Sequence, residues 1–128
     1  MNINKFTIKS QEALQQAQQI AQSLGQQQLE NEHIFKGILE VDENVTPFIL
    51  KKLNVNIDLF KKILDSTIQS FPKVSGGEIM FSRNAGTTMN EAEIIAKKMN
   101  DEYVSIEHLL LAIFKSKSKV AQILKGQG

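Results

Sequence analysis

At 128 residues, 41% of them hydrophobic and 23% charged, the chain has the balance of one globular domain that buries about two-thirds of its unfolded surface, which excludes a disordered chain. Residues 1–71 carry 7 Lys and 8 acidic residues and residues 72–128 carry 8 Lys/Arg and 6 acidic residues, so no concentrated basic face marks a nucleic-acid binder. The lack of cysteine excludes disulfides and thiolate metal sites.

Met1-Asn2-Ile3-Asn4-Lys5 lacks the apolar run of a secretory signal. No window approaches 18 consecutive apolar residues. The expectation is a cytoplasmic chain with no membrane partner. Phe6 precedes Thr7, whose hydroxyl suits the N-cap of a first helix. Ala13, Leu14, Ala17, Ile20, Ala21 and Leu24 then recur at spacings of three and four, a helical stripe that stops at Gly25. Nine of the eighteen residues from Gln11 to Gln28 are Gln, and the stripe running through them makes this a solvated helix face rather than a low-complexity tract.

A second helix is predicted from about Glu30 to Glu40, with Ile34, Phe35, Ile38 and Leu39 inward. Val41-Asp42-Glu43-Asn44 breaks it, and Pro47 then sits where a helix start tolerates proline, ahead of Phe48, Ile49, Leu50 and Leu53. A fourth helix follows with Ile57, Phe60, Ile63, Leu64, Ile68 and Phe71. Pro72-Lys73-Val74-Ser75-Gly76-Gly77 cannot continue it and reads as a loop. Ser82 caps the next stripe, Met89, Ala92, Ile95, Ala96 and Met99, which ends at the turn Asn100-Asp101-Glu102-Tyr103. Ser105 opens the helix Ile106 to Phe114, and Val120, Ile123 and Leu124 form a last short helix.

One shift of 75 residues relates the two halves. It sets His33 on His108, Glu32 on Glu107, Phe6-Thr7 on Phe81-Ser82, Ala17 on Ala92, Ile20-Ala21 on Ile95-Ala96, Ile38 on Ile113 and Val45 on Val120. An unbroken offset with so many coincidences is a duplication. No segment sustains period-two alternation, so the fold class is all-α. A unit of three short helices has little core of its own, which argues for one pseudo-symmetric domain: a first repeat over about 6–71, a linker over 72–80 and a second repeat over about 81–125.

No Gly-x-x-x-x-Gly-Lys-Ser/Thr run is present, so no ATPase activity is expected of this chain itself. Ser105 and His108 lack the nucleophile elbow of a hydrolase. Glu32-His33 and Glu107-His108 are adjacent on their helices and point about 100° apart, so neither pair suits a metal. Each His reads as structural, and the chain as no enzyme on its own.

Over its whole length the sequence resembles the N-terminal domain of the Clp family of AAA+ unfoldases, above all in Ser105-Ile106-Glu107-His108-Leu109-Leu110-Leu111-Ala112-Ile113. The loop from Pro72 to Gly77 is more similar to the ClpB disaggregase branch than to the protease-linked ClpC and ClpA branches, while Glu30 in place of a capping Ser/Thr and the Gln-rich face depart from the family. The resemblance implies eight helices in two pseudo-two-fold-related repeats, tethered ahead of two ATPase rings. It implies a non-catalytic domain that recruits unfolded or aggregated polypeptide for a homohexameric motor, with a co-chaperone or adaptor as further partners. No cofactor or metal is expected in this domain; ATP and magnesium belong to the full-length protein.

The ClpB branch implies client capture by Thr7, Asp101 and Glu107; the ClpC branch implies phosphoarginine held by Glu32 with Thr7 and by Glu107 with Ser82. Phe6, Tyr103 and Ile106 are candidates for apolar groove walls, or equally for core. The same residues have plain structural roles: Thr7 and Ser82 as caps, Glu107 as a first-turn carboxylate worth about 0.3–1 kcal/mol against the helix dipole, Asp101 as turn chemistry. The rival functions are a ClpC-like domain docking an adaptor or phosphoarginine-marked clients, and a scaffold with no client groove.

Overall fold

The computed structural model describes residues 3–74 and 76–127; Met1, Asn2, Ser75 of the expected loop and Gly128 lie outside the described residues. A 3-10 turn, Ile3–Lys5, leads into α1 (Ile8–Ser23), β1 (Gln28–Leu29), α2 (Asn31–Val41), α3 (Val45–Lys52) and α4 (Ile57–Gln69). Then come β2 (Met80–Phe81), α5 (Arg83–Lys98), α6 (Ile106–Lys115) and α7 (Lys119–Gln127). The domain is all-α, but the described residues hold seven α-helices rather than eight. The 75-residue shift pairs α1, α2 and α3 with α5, α6 and α7. The two short strands were not expected: two paired residues are too few to show alternation.

The local chemistry follows the duplication closely. Thr7 Oγ1 accepts from Ser10 N, and Ser82 Oγ accepts from Ala85 N, each capping the first helix of its repeat. Both helices end in a left-handed residue, Gly25 at φ 69° and Asn100 at φ 59°. The amide after each closes back onto the helix, Gln26 N to Ala21 O and Asp101 N to Ala96 O at 2.9 Å, which satisfies orphan carbonyls of the last turn.

The two histidines do the same work in both repeats. Each sits at the third position of its helix, where a capping box ordinarily carries Glu or Gln. His33 Nδ1 accepts from Glu30 N at 2.9 Å, and His108 Nδ1 accepts from Ser105 N at 2.8 Å. That leaves Nε2 as the protonated nitrogen, and it reaches seven residues back: to Gln26 Oε1 at 2.6 Å in one repeat and to Asp101 Oδ2 at 2.8 Å in the other. Glu30 thus works as a cap because the imidazole completes the box.

The loops so clamped stitch the repeats together. β1 pairs in parallel with β2, Leu29 opposite Phe81, and the 75-residue shift turns this pair into the second bridge, Phe6 with Val104. Ser82 N donates to Leu29 O at 3.0 Å, as Thr7 N does to Val104 O at 2.9 Å. Phe6, Leu29, Val104 and Ile106 are all buried, continuous with Ala13, Ala17, Ile34, Ile38, Leu109 and Ile113. A Cβ on Gly37 would run into the carbonyl oxygen of Ala13, so glycine there sets the close approach of α2 to α1. α4 closes the far side of the first repeat, Phe60 meeting Phe35 edge-on at 5.2 Å, and Gln26 Nε2 donates to Ile68 O at 2.6 Å.

Burial, with Lys36 adding to it, pushes His33 down to about 4. An unfolded histidine gains its proton near 6.5, so between those values the unfolded chain binds more protons and acidification destabilises the fold, by about 1.4 kcal/mol per pH unit at the steepest. Glu32, whose carboxyl is raised, contributes in the opposite sense, so the clean observable is a difference. His33→Gln, which keeps a capping-box acceptor, is expected to lose about 1–2 kcal/mol less than the native chain between pH 7 and pH 5 in urea unfolding. Equal losses would show that His33 does not carry this dependence.

Candidate functional site

The repeats differ at the seam between the second helix of one and the third helix of the other. On one side Glu32, in the first turn of α2, is buried and its Oε2 accepts from Val120 N of α7 at 2.7 Å. It shares the capping of α7 with Ser118, whose Oγ accepts from Ala121 N at 3.2 Å. Burial pushes the Glu32 carboxyl up, and the Val120 amide draws it part of the way back. That seam is closed.

On the other side stand Glu107, the counterpart of Glu32, and α3, the counterpart of α7. Here α3 has its own carboxylate. Asp42 Oδ1 accepts from Asn44 N and Val45 N at 3.1 Å each, and Oδ2 accepts from Thr46 N at 2.8 Å and Thr46 Oγ1 at 2.7 Å. Burial alone would raise Asp42, but the Thr46 hydroxyl and the amides of Asn44, Thr46 and Val45 outweigh it and hold the carboxyl below its ordinary value. The 75-residue shift puts Lys117 where Asp42 stands, which is why α7 borrows its carboxylate from α2.

Freed of a capping task, Glu107 is exposed, and α3 and α6 stand apart over an open groove of about 380 Å³. Ile49 and Leu50 of α3 and Leu53 at its C-cap form one wall and Leu110, Leu111 and Phe114 of α6 the other, with Glu107 at one end. Leu111 is 45%, Leu53 37% and Phe114 36% exposed, and Phe48 stands out from α3 at 61%. Lys52 Nζ lies 5.6 Å from the Phe48 ring and Lys125 Nζ 5.7 Å from the Phe114 ring, adding cations to the rim. An apolar cleft between helices with few polar groups has the form of a binding site for apolar groups.

Residues 5–127 match the model of the Clp repeat (R) N-terminal domain. The chain belongs to the Clp N-terminal domain family. It is 49% identical over 128 residues to the chaperone protein ClpB of Bacteroides thetaiotaomicron and 40% identical over 128 residues to that of Porphyromonas gingivalis. Each match covers 100% of this chain and 15% of the relative, so the chain spans about one-seventh of these proteins. The Hsp104 N-terminal domain of Candida albicans shares the fold, with a TM-score of 0.86 over 97% of this chain and 82% of that one at 22% identity.

This Clp N-domain does not gather the sequence-predicted residues at one place. Phe6 and Ile106, candidates for groove walls or equally for core, lie in the core at 2% and 4% exposure, Phe6 forming the bridge between the repeats with Val104 and Ile106 following that bridge. Ser82 is buried over its cap, and Glu32 is committed to Val120. Thr7 is half-buried, its Oγ1 donating to Ser10 Oγ while accepting from Ser10 N. Thr7 adjoins Val104, which lines a second open cleft, of about 640 Å³, with Lys5, Glu93, Lys97, Asp101 and Glu102; exposed Tyr103 stands beside it. Asp101 is held there by His108. Glu107 alone reaches the apolar groove.

The residues that sequence reasoning missed are the groove walls on α3 and α6. Their signal was the continuous run Leu109-Leu110-Leu111, more apolar circumference than one core-facing stripe requires. Glu32 has a direct test. Glu32→Gln keeps an acceptor for Val120 N and removes a buried charge, so stability at pH 7 is expected to hold or rise. Glu32→Ala orphans a buried amide and opens space, and is expected to lose about 1–3 kcal/mol in denaturant unfolding. A larger loss for Gln than for Ala would contradict the capping role.

Proposed function

We propose that this domain is the non-catalytic recruiting module of a ClpB-type disaggregase, taking apolar segments of unfolded or aggregated polypeptide into the α3–α6 groove. The observation that supports the reading is the groove itself: two walls of half-exposed Leu, Ile and Phe side chains that the domain's own third helix leaves uncovered. A folded chain that keeps such a surface open loses the transfer free energy of covering it, roughly 25 cal/mol per Å². Apolar surface retained at that cost suits a protein that meets apolar partners.

Asp101 in the polar cleft, with Thr7 and Tyr103 beside it, forms a second, weaker contact region in this reading, serving basic or amide groups of the client. Exposed charge pairs add only about 0–1 kcal/mol each, so the groove supplies most of the affinity. Weak single-domain capture fits a homohexamer in the cytoplasm, where six tethered copies raise avidity roughly 10²–10⁴-fold and each contact still lets go of its client to the motor. ATP and magnesium serve the motor domains outside this chain. The ClpC-like alternative places phosphoarginine on Glu32 with Thr7 and on Glu107 with Ser82. It fits less well, since Glu32 is buried against Val120 and Ser82 against the start of α5.

Because Leu111 and Phe114 are part-exposed, Leu111→Ser with Phe114→Ser is expected to leave the melting temperature within about 3 °C of the native value. Affinity for a fluorescently labelled, reduced and carboxymethylated protein that stays unfolded is expected to fall at least about tenfold in anisotropy titrations. Thr7→Ala with Asp101→Ala is expected to change it less than about threefold. Undiminished binding by the folded Leu111/Phe114 double variant would overturn the groove assignment.

A further inference from the structure

The groove offers apolar contact and almost no hydrogen bonding. Both long walls are helices, whose backbone groups away from the helix ends are spent within their own turns. Of the two polar residues that line it, Thr46 has its hydroxyl and its amide on Asp42, which leaves Glu107. A segment entering in extended form would bury its amides and carbonyls against leucine and phenylalanine with nothing to pair them, at about 1–3 kcal/mol for each group. Strand addition is closed to it for the same reason: among the described residues no strand lines the groove. A helix brings its own backbone partners.

The groove is also polarised along its length. On α6 the wall runs from Glu107 to Phe114, about 10 Å at 1.5 Å per residue, or two turns of a facing helix. Glu107 marks one end, and Lys125 stands over Phe114 at the other. A helix carrying acidic residues in its first turn and basic ones in its last is favoured by its own dipole. Lying antiparallel to α6, it sets its acidic end at Lys125 and its basic end at Glu107.

We infer that the occupant of the α3–α6 groove binds as an amphipathic helix, with apolar residues at i, i+3, i+4 and i+7, and runs antiparallel to α6 with its acidic N-terminal turn at Lys125 and its basic C-terminal turn at Glu107. This inference rests on the groove being the client site, and adds that a captured segment folds as it docks. The charges set direction more than strength.

The test is an NMR titration of the labelled chain with three capped 14-residue peptides of one composition. The first carries leucines at i, i+3, i+4 and i+7 with Glu in its first turn and Lys in its last. The second has the same sequence with two central solvent-facing residues as D-enantiomers, which breaks the helix and keeps the apolar content. The third exchanges the Glu and Lys positions. The first peptide is expected to bind at least about tenfold tighter than the second, with shifts at Leu53, Leu111 and Phe114. Glu107→Lys with Lys125→Glu is expected to reverse the preference between the first and third. Equal binding of the first two would overturn the helical mode, and an unchanged preference in the charge-reversed variant would overturn the orientation. An unfolded polypeptide that shifts the groove residues while the peptides show no helical preference leaves the client-site reading standing and refutes this inference alone. Helical peptides in the groove with no response to unfolded polypeptide refute the disaggregase reading and leave a helical partner as the occupant.

Discussion

Each half of this domain depends on one imidazole. His33 and His108 accept the cap amide on Nδ1 and donate from Nε2 to a residue seven positions earlier, so one side chain fixes both ends of the loop that enters its helix. Those loops carry Leu29 and Val104, the residues that bridge to Phe81 and Phe6 across the pseudo-two-fold. Without the clamp, the two-residue strands have too few ladder bonds to hold a register. The neutral ring suits the task better than the charged one, which has no acceptor lone pair to offer the cap.

The symmetry is then broken by a choice of carboxylate. At the closed seam Glu32 accepts a charge-assisted bond from Val120 N, which offsets part of its burial. At the other seam Asp42 supplies the cap from within α3's own approach, and Glu107 is left with nothing to hold. The two halves differ here at one equivalent position, Asp42 on one side and Lys117 on the other, and it is the side with Asp42 that has the open groove. The proposed function lives in that difference and not in the repeated motif, which serves the fold.

The fold was readable because duplication writes the same pattern twice: the caps Thr7, Ser82 and Ser105, the stops at Gly25 and Asn100, and the core stripes recur in both halves. The structural role of the histidines was also readable, although their partners were not, since Gln26 and Asp101 become neighbours only once the loop turns back. The groove was the least legible part. Leu53, Leu111 and Phe114 have the same character as buried Leu50, Leu109 and Ile113, and whether a helix covers them depends on how α3 is capped. Phe6 and Ile106, open in the sequence to either reading, fall to the core: they adjoin half-buried Thr7 and exposed Glu107 in sequence, yet pack at the bridge between the repeats.

The central claim is that the open α3–α6 seam, and not the polar cleft at Asp101, receives the client. The most direct measurement is crosslinking with a photoreactive residue placed in turn at Leu53, Leu111, Phe114, Tyr103 and Asp101, using a reduced and carboxymethylated protein as the unfolded client. The account predicts strong crosslinks from positions 53, 111 and 114 and weak ones from 101 and 103. Crosslinks confined to 101 and 103 would contradict it and return the site to the cleft beside Thr7.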